Sequence, residues 1–348
     1  MNRKWLLPFS YLFGFILHLR HWLYDKGILR SHCPDVPFVV VGNLCAGGSG
    51  KTPHTLLFAR WLSAAFEPAF LSRGYGRSSV GFRMVSLNEP PSLTGDEPRL
   101  FKRSFPSAAV AVCSSRVEGI AKLRAYAPSS KVILLDDAYQ HRPLRGGLRI
   151  LLIPYSDFFH PRYLLPAGYQ RDVWSRYKAA DAIVVTQCPL LPEAKDSETI
   201  YNQLSQFNQE HIFFSSVELG QCISFDGLTV QTQTLSENGN CSLLLVSGIA
   251  RPALLEQQVR ALGLEVKHLV FPDHHDYSDA DMQKIAADLR TFATSNVKVL
   301  TTSKDREKIA PLLKKEEYSR WFSLELDLRI DREETLKKIL TDYVRQHS

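Results

Sequence analysis

The 348-residue sequence has no CxxC pair, no clustered histidine spacing and no apolar run of 20 residues. Its six cysteines (Cys33, Cys45, Cys113, Cys188, Cys222, Cys241) therefore outline neither a zinc site nor a disulfide framework, and a reducing compartment is the default expectation. Internal repeats and low-complexity tracts are also lacking. Net positive charge is scarce outside one region. Residues 1–30 hold Arg3, Lys4, Arg20, Lys26 and Arg30 against Asp25 alone, so four of the six net positive charges lie there. The near-balance elsewhere argues against a broad nucleic-acid-binding face. An apolar fraction of 45% is enough to bury a core without cross-links, and the length calls for two domains or one large α/β unit.

The basic N-terminus brackets the stretch WLLPFSYLFGFILHL, residues 5–19. A bilayer crossing needs about 20 apolar residues; this run is shorter and carries Pro8, Ser10, Gly14 and His18. A small-x-small cleavage site, which a signal peptide would need, does not follow it. The favoured expectation is a helix lying in a membrane interface, with Trp5, Phe9, Tyr11, Phe13, Phe15, Trp22 and Tyr24 at headgroup depth and the basic groups toward anionic lipid. An ordinary buried helix and a short transmembrane anchor stay open.

Short β-branched runs then alternate with helical stretches: 38–41, 69–71, 108–112, 132–135, 149–153 and 182–185. Continuous apolar runs of this length imply strands buried on both faces, hence a mainly parallel, doubly wound α/β sheet. Turn signals at Phe225-Asp226-Gly227 and 236–240 suggest a boundary with a hairpin. Beyond it, a strand at 242–246, a helix at 252–262, a strand at 297–301 and an amphipathic helix at 333–345 suggest a smaller α/β unit. The expected organisation is a membrane-associating helix over 1–30, a nucleotide-binding domain over 31–220, a linker over 221–241 and a C-terminal α/β domain over 242–348.

The sharpest local signal is VVVGNLCAGGSGKTPHT, residues 39–55. A buried strand enters a glycine-rich turn, and Lys51-Thr52 opens a helix. Backbone N–H groups of Gly47, Gly48, Ser49 and Gly50 can converge on phosphate oxygens, helped by the helix dipole. Lys51 would reach the β- and γ-phosphates and Thr52 would ligate magnesium. The standard pattern wants glycine where Cys45 stands, and a plain glycine-rich loop is the bland alternative. Pro53 suits a first helical turn.

Asp136-Asp137 closes the strand-like run 132–135, where α/β folds bind ligands, and suggests a magnesium-side acidic strand end. Helix N-capping is the structural alternative, as it is for Asp96 in TGDEP (94–98). Asp172 follows Arg171 in a loop after LPAG (165–168). In FPDHHDY (271–277) a histidine oriented by a carboxylate could help deprotonate a hydroxyl, although a surface loop explains the composition equally well. TSKD (302–305) is either an anion contact or a structural pair. From the residues alone, a GTPase or ATP-dependent ligase and a membrane-recruited nucleotide switch compete with a kinase. The missing N/T-K-x-D motif disfavours the GTPase.

Taken together, the motifs resemble those of the tetraacyldisaccharide 4′-kinase (lipid A 4′-kinase) family. The likeness runs from the N-terminus to about residue 310 and rests on GNLCAGGSGKTP (42–53), SRGYGR (72–77), TGDEP, SSRVEG (114–119) and DDAYQH (136–141). It continues through LPAG with Arg171, SGIARP (247–252), FPDHHDY and TSKD. The resemblance implies a P-loop NTPase-like fold with a second, smaller α/β domain joined by a two-stranded linker. It implies ATP as donor, Mg2+ as cofactor, and an acylated glucosamine disaccharide 1-phosphate as acceptor in lipid A biosynthesis. A monomer at the cytoplasmic face of the inner membrane is expected. By motif, Asp96 is implied as general base with His274 as its partner and Lys51 as a third catalytic group. Thr52, Asp136, Asp137 and Asp172 are implied on the metal side, and Arg73, Tyr75, Arg116, Gln140 and Arg171 on the acceptor. Asp172 departs from the family's usual glutamate, Ala138 from its glycine, and Cys45 from its small hydroxyl residue.

Overall fold

The structure, a computed structural model, describes residues 4–189, 194–232, 242–249, 252–273, 275–293 and 296–348, with the side chains of Leu254 and Leu326 excepted. It divides into two compact units, Met1–Ser216 with Leu328–Ser348, and Val217–Asp327.

In the first unit, strands β1 (Phe38–Asn43), β2 (Pro68–Ser72), β3 (Arg83–Met84), β4 (Val110–Val112), β5 (Val132–Asp136), β6 (Leu148–Pro154), β7 (Ala182–Cys188) and the start of β8 (Ile212–Ser224) form a sheet. Their order is β3-β4-β2-β5-β1-β6-β7-β8. Every pairing is parallel except that of the short edge strand β3 with β4. Both faces of β1, β2 and β5 are buried, which is why these strands read as continuous apolar runs rather than alternating ones. The register sets Val41 beside Asp136. The turn after β1 and the acid that ends β5 are therefore neighbours.

Helices α1 (Leu7–Asp25), α2 (Lys51–Ser63), α3 (Asp96–Ser104), α4 (Arg116–Tyr126) and α5 (Ala194–Gln203) belong to this unit. The chain leaves it along β8, which forms an antiparallel hairpin with β9 (Thr229–Gln231) about the turn at 225–228. In the second unit, β10 (Ser242–Ser247), β11 (Glu265–Val270), β12 (Val297–Thr302) and the greater part of β13 (Trp321–Ile330) run parallel in the order β11-β10-β12-β13. Helices α6 (Pro252–Arg260), α7 (Asp279–Leu289) and α8 (Ser303–Ile309) connect them.

The last helix, α9 (Glu333–His347), departs from the sequence expectation. Its stripe Leu336, Leu340 and Val344 is buried in one cluster with Phe58 and Leu62 of α2 and Leu148 and Ile150 of β6. The hydrophobic stripe, not chain order, decides where the helix packs. Residues 328–348 thus belong to the first unit instead of extending the second.

Candidate active site

Gly47 and Gly50 have φ of 111° and 78°, a region that glycine enters without a Cβ penalty. This lets the chain turn from β1 through residues 44–50 into α2. The turn is held by buried side chains. Asn43 is fully buried, and its Nδ2 donates to Ser49 Oγ at 2.7 Å, tying the two ends of the loop together. His54 Nδ1 lies 2.7 Å from the Gly50 carbonyl and its Nε2 is 2.9 Å from Ser215 Oγ. Burial drives the His54 pKa down to about 4, against the Gly50 bond, so the ring is neutral and serves as a rivet. Gln187 Nε2 donates to Gly48 O.

The strand end of β5 faces this loop. A Cβ on Gly42 would stand 2.6 Å from Tyr139 Cβ, so β1 and the 137–141 turn approach closely only because Gly42 has none. Asp137, at φ 50°, supplies the positive φ of this turn, so position 138 can carry the Cβ of alanine. Both Asp137 oxygens accept from Arg171, at 2.7 and 3.1 Å, and Lys51 Nζ lies 3.7 Å from Asp137 Oδ1. Burial opposes ionisation of Asp137, but the Arg171 hydrogen bonds and the charges of Lys51, Arg171 and Arg116 together hold its pKa below the usual carboxylate value. Asp136 behaves oppositely. Burial first, then the negative charges of Asp137 and Glu97, raise it to about 7 despite Lys51 and Arg116. Its Oδ1 is buried without a hydrogen-bond partner.

Arg116 is buried; its Nη2 donates to Asp137 O at 3.1 Å and its Nη1 to the carbonyls of Ser114 and Cys113. Burial lowers its pKa to about 10, which leaves it charged at neutral pH. Arg171 Nη2 also reaches Asn43 Oδ1 at 2.6 Å. Arg73 is exposed and close enough for its charge to act on Arg116, and Tyr75 is 87% exposed. The 72–79 loop is tied to the segment before α3 by Ser78 N to Ser92 O at 2.7 Å and Ser79 Oγ to Leu93 O at 2.5 Å. Arg73 and Tyr75 therefore lie on a loop joined to the one that carries Asp96, the first residue of α3.

Thus the structure gathers Lys51, the 47–50 turn, Thr52, Asp136, Asp137, Arg116 and Arg171 about the ends of β1 and β5. Gln140, expected on the acceptor side, donates from its Nε2 to Asn43 O at 2.5 Å. Asp172 pairs with His21 of α1 at 2.7 Å. His274 lies outside the described residues. The sequence reading missed Asn43, His54 and Glu97; a polar residue closing a fully apolar strand was the available signal for Asn43.

Residues that could hold a cation can be tested on these contacts. Among the described residues no group of three or more His, Cys, Asp or Glu forms a metal cage. Magnesium, however, is commonly bound through one or two protein oxygens plus phosphates and water. The unpartnered Asp136 oxygen and the Thr52 hydroxyl at the start of α2 fit that mode. Asp137 and Asp172 Oδ1 are already engaged.

Residues 2–345 match the family described as tetraacyldisaccharide-1-P 4'-kinase. The sequence is 34% identical to the tetraacyldisaccharide 4'-kinase of Phocaeicola vulgatus, over 99% of this chain and 96% of that protein. It is 39% identical to the Flavobacterium johnsoniae protein of the same name, over 87% and 86%. Among solved structures, the "apo" form LpxK from Aquifex aeolicus in complex with ATP is similar with a TM-score of 0.74 and 32% identity, covering 99% of this chain and all of that one.

Proposed function

Because this chain belongs to the tetraacyldisaccharide-1-P 4'-kinase family and is an ATP-dependent lipid A 4′-kinase, we propose how its residues divide the reaction. ATP is the donor and the 4′-hydroxyl of a lipid disaccharide 1-phosphate the acceptor. The observation that carries the assignment is the junction at β1 and β5: a glycine turn opening a helix with Lys51, set beside an acid pair, the buried Arg116 and the half-buried Arg171.

The 47–50 backbone and Lys51 cradle the β- and γ-phosphates. Lys51, Arg116 and Arg171 supply fixed positive charge where the transferred phosphoryl passes, in a site that needs no reorganisation at the moment of reaction. Thr52 and Asp136 would hold Mg2+, which when bound neutralises phosphate charge. Asp137 then serves to aim Arg171 and Lys51. Asp96 takes the proton of the attacking hydroxyl, with His274 as its partner. Arg73 and Tyr75, exposed on the neighbouring loop, meet the sugar phosphate of the acceptor; Gln140 braces Asn43 rather than binding it.

The acceptor is a lipid, and α1 supports recruitment to its membrane. No helix among the described residues is long and apolar enough to cross a bilayer. Yet Trp5, Phe9, Tyr11, Leu12, Phe15 and Ile16 are all more than half exposed. A patch of this kind fits a helix lying in the interface, at the cytoplasmic face of the inner membrane where ATP is available. The test is incubation of the purified chain with Mg-ATP and the acylated disaccharide 1-phosphate in anionic vesicles. A product one phosphate heavier, lost in Lys51→Ala, is expected; nucleotide binding without any lipid product would sink the assignment.

A further inference from the structure

The buried side of α1 consists of Ser10, Gly14, Leu17 and His21. His21 is the one member of this stripe joined to a carboxylate: its Nε2 is 2.7 Å from Asp172 Oδ1, with both residues buried. Since an ionised carboxylate only accepts, the ring nitrogen is the donor. Asp172 Oδ1 also accepts from Val173 N at 2.8 Å, and its other oxygen is buried without a partner.

The backbone at this point is engaged with the phosphate loop. Arg171 N and Asp172 N both donate to the carbonyl of Leu44, at 2.7 and 3.2 Å, where the chain leaves β1. The Arg171 side chain continues from there to Asp137 and Asn43. A second polar line starts from the same helix. Arg20 Nη2 donates to Gln140 O at 3.3 Å, and Gln140 Nε2 donates to Asn43 O at 2.5 Å. Two lines from neighbouring residues of α1 therefore converge on Asn43 and Leu44, the entry to the phosphate turn.

We propose that His21 is a positioning residue for phosphoryl transfer, acting from the membrane-facing helix through Asp172 and Arg171 on the phosphate loop. The inference rests on the reading above that residues 42–52 hold the nucleotide. Its physical basis is the cost of leaving a buried carboxylate short of a donor. Without His21, Asp172 must turn toward another donor or water. The 171–172 backbone then shifts on Leu44, and Arg171 loses its aim at Asp137. The interfacial helix is thereby a brace of the catalytic frame as well as a lipid contact.

The full-length enzyme tests this through His21→Leu, which keeps bulk but no donor, and His21→Gln, which returns a donor at comparable reach. Four quantities are read: kcat and KM on the vesicle-borne acceptor, affinity for a fluorescent ATP analogue, and flotation with anionic phospholipid vesicles. His21→Leu should lose about tenfold or more in kcat or nucleotide affinity, the range seen when a group supporting a ligand-holding residue is removed. His21→Gln should recover most of that loss, and flotation should stay unchanged in both. Wild-type kinetics in His21→Leu would overturn the proposal. So would equal impairment of both variants, or a loss of flotation with nucleotide affinity intact. Should His21→Leu fail to fold, His21→Asn replaces it: an impaired Asn variant beside an active Gln variant supports the proposal, and two impaired variants overturn it. A wild-type chain that binds no ATP analogue would refute the nucleotide reading itself, and this proposal with it.

Discussion

Helices α1 and α9 pack on the same unit and follow opposite rules. Helix α9 buries Leu336, Leu340 and Val344 and turns Lys337, Glu334 and Arg345 outward, as a helix facing water should. Helix α1 buries a serine, a glycine and a histidine with one leucine, and exposes Phe15 at 66% and Tyr11 at 72%. Its inward contacts are hydrogen bonds: Ser10 Oγ donates to Leu164 O and accepts from Ala167 N. Each large apolar side chain left exposed forgoes about 1.5–3 kcal/mol of burial. A sequence that accepts this cost while directing polar groups inward fits the proposal that α1 meets a second apolar phase. The region around α9 is built for stability, and that around α1 and the β5 strand end for function. Substitutions should separate the two.

The largest effect should come from the functional region. Asp96→Ala should lower kcat by about two to four orders of magnitude, the usual contribution of a general base, with the melting temperature nearly unchanged. Near-normal turnover would remove Asp96 from that role. The opposite signature belongs to α9: Leu340→Ala, at a fully buried position, should cost about 2–5 kcal/mol of stability, measured by denaturant unfolding. At temperatures where this variant stays folded, kcat and vesicle flotation should match wild type.

A smaller and more discriminating test uses Asp136. Its carboxyl is raised to about 7 in the fold from an ordinary value of 3.8. The folded state therefore holds the proton more tightly than the unfolded chain. The stability this adds is full below pH 3.8, falls as pH rises and is lost above about 7. Asp136→Asn mimics the protonated acid, so it should melt higher than wild type at pH 8 in the absence of nucleotide and magnesium. Each kcal/mol regained should raise the melting temperature by about 2–4 °C, and the gain should shrink toward pH 4. Phosphate transfer should fall at the same time. An Asn variant that melts lower at pH 8 would show that the ionised acid is compensated, and would blur the contrast between the regions.

Much of this was legible in the sequence because local chemistry carries it. Residues 38–41 and 132–135 read as buried strands through their unbroken apolar runs, and Gly47 to Thr52 read as a phosphate turn through glycines at positions that need positive φ. What was hidden depends on contacts far apart in the chain. His21 and Asp172 are separated by 151 residues, so nothing local marks the pair. The turn signal at 225–227 announced the hairpin of β8 with β9, whereas the first half of β8, residues 212–216, was not read as a strand. The C-terminal helix announced its stripe but not its partner, since any apolar face would satisfy it. The bond from the Gln140 amide to Asn43 O at the end of β1 was hidden for the same reason, since the two residues stand 97 apart in the chain.

The contrast between the two helices is tested most directly with Phe9→Ser/Phe15→Ser, which alters the outer face of α1 and leaves Ser10 and His21 in place. Phosphate transfer from ATP is measured on the acceptor embedded in anionic vesicles and on a short-chain, water-soluble analogue. Transfer on vesicles should fall at least about tenfold, as expected from losing two aromatic contacts with lipid, while transfer to the soluble analogue and the melting temperature stay at wild-type levels. Equal transfer on both substrates, matching the unaltered enzyme, would contradict the claim that this face meets the membrane.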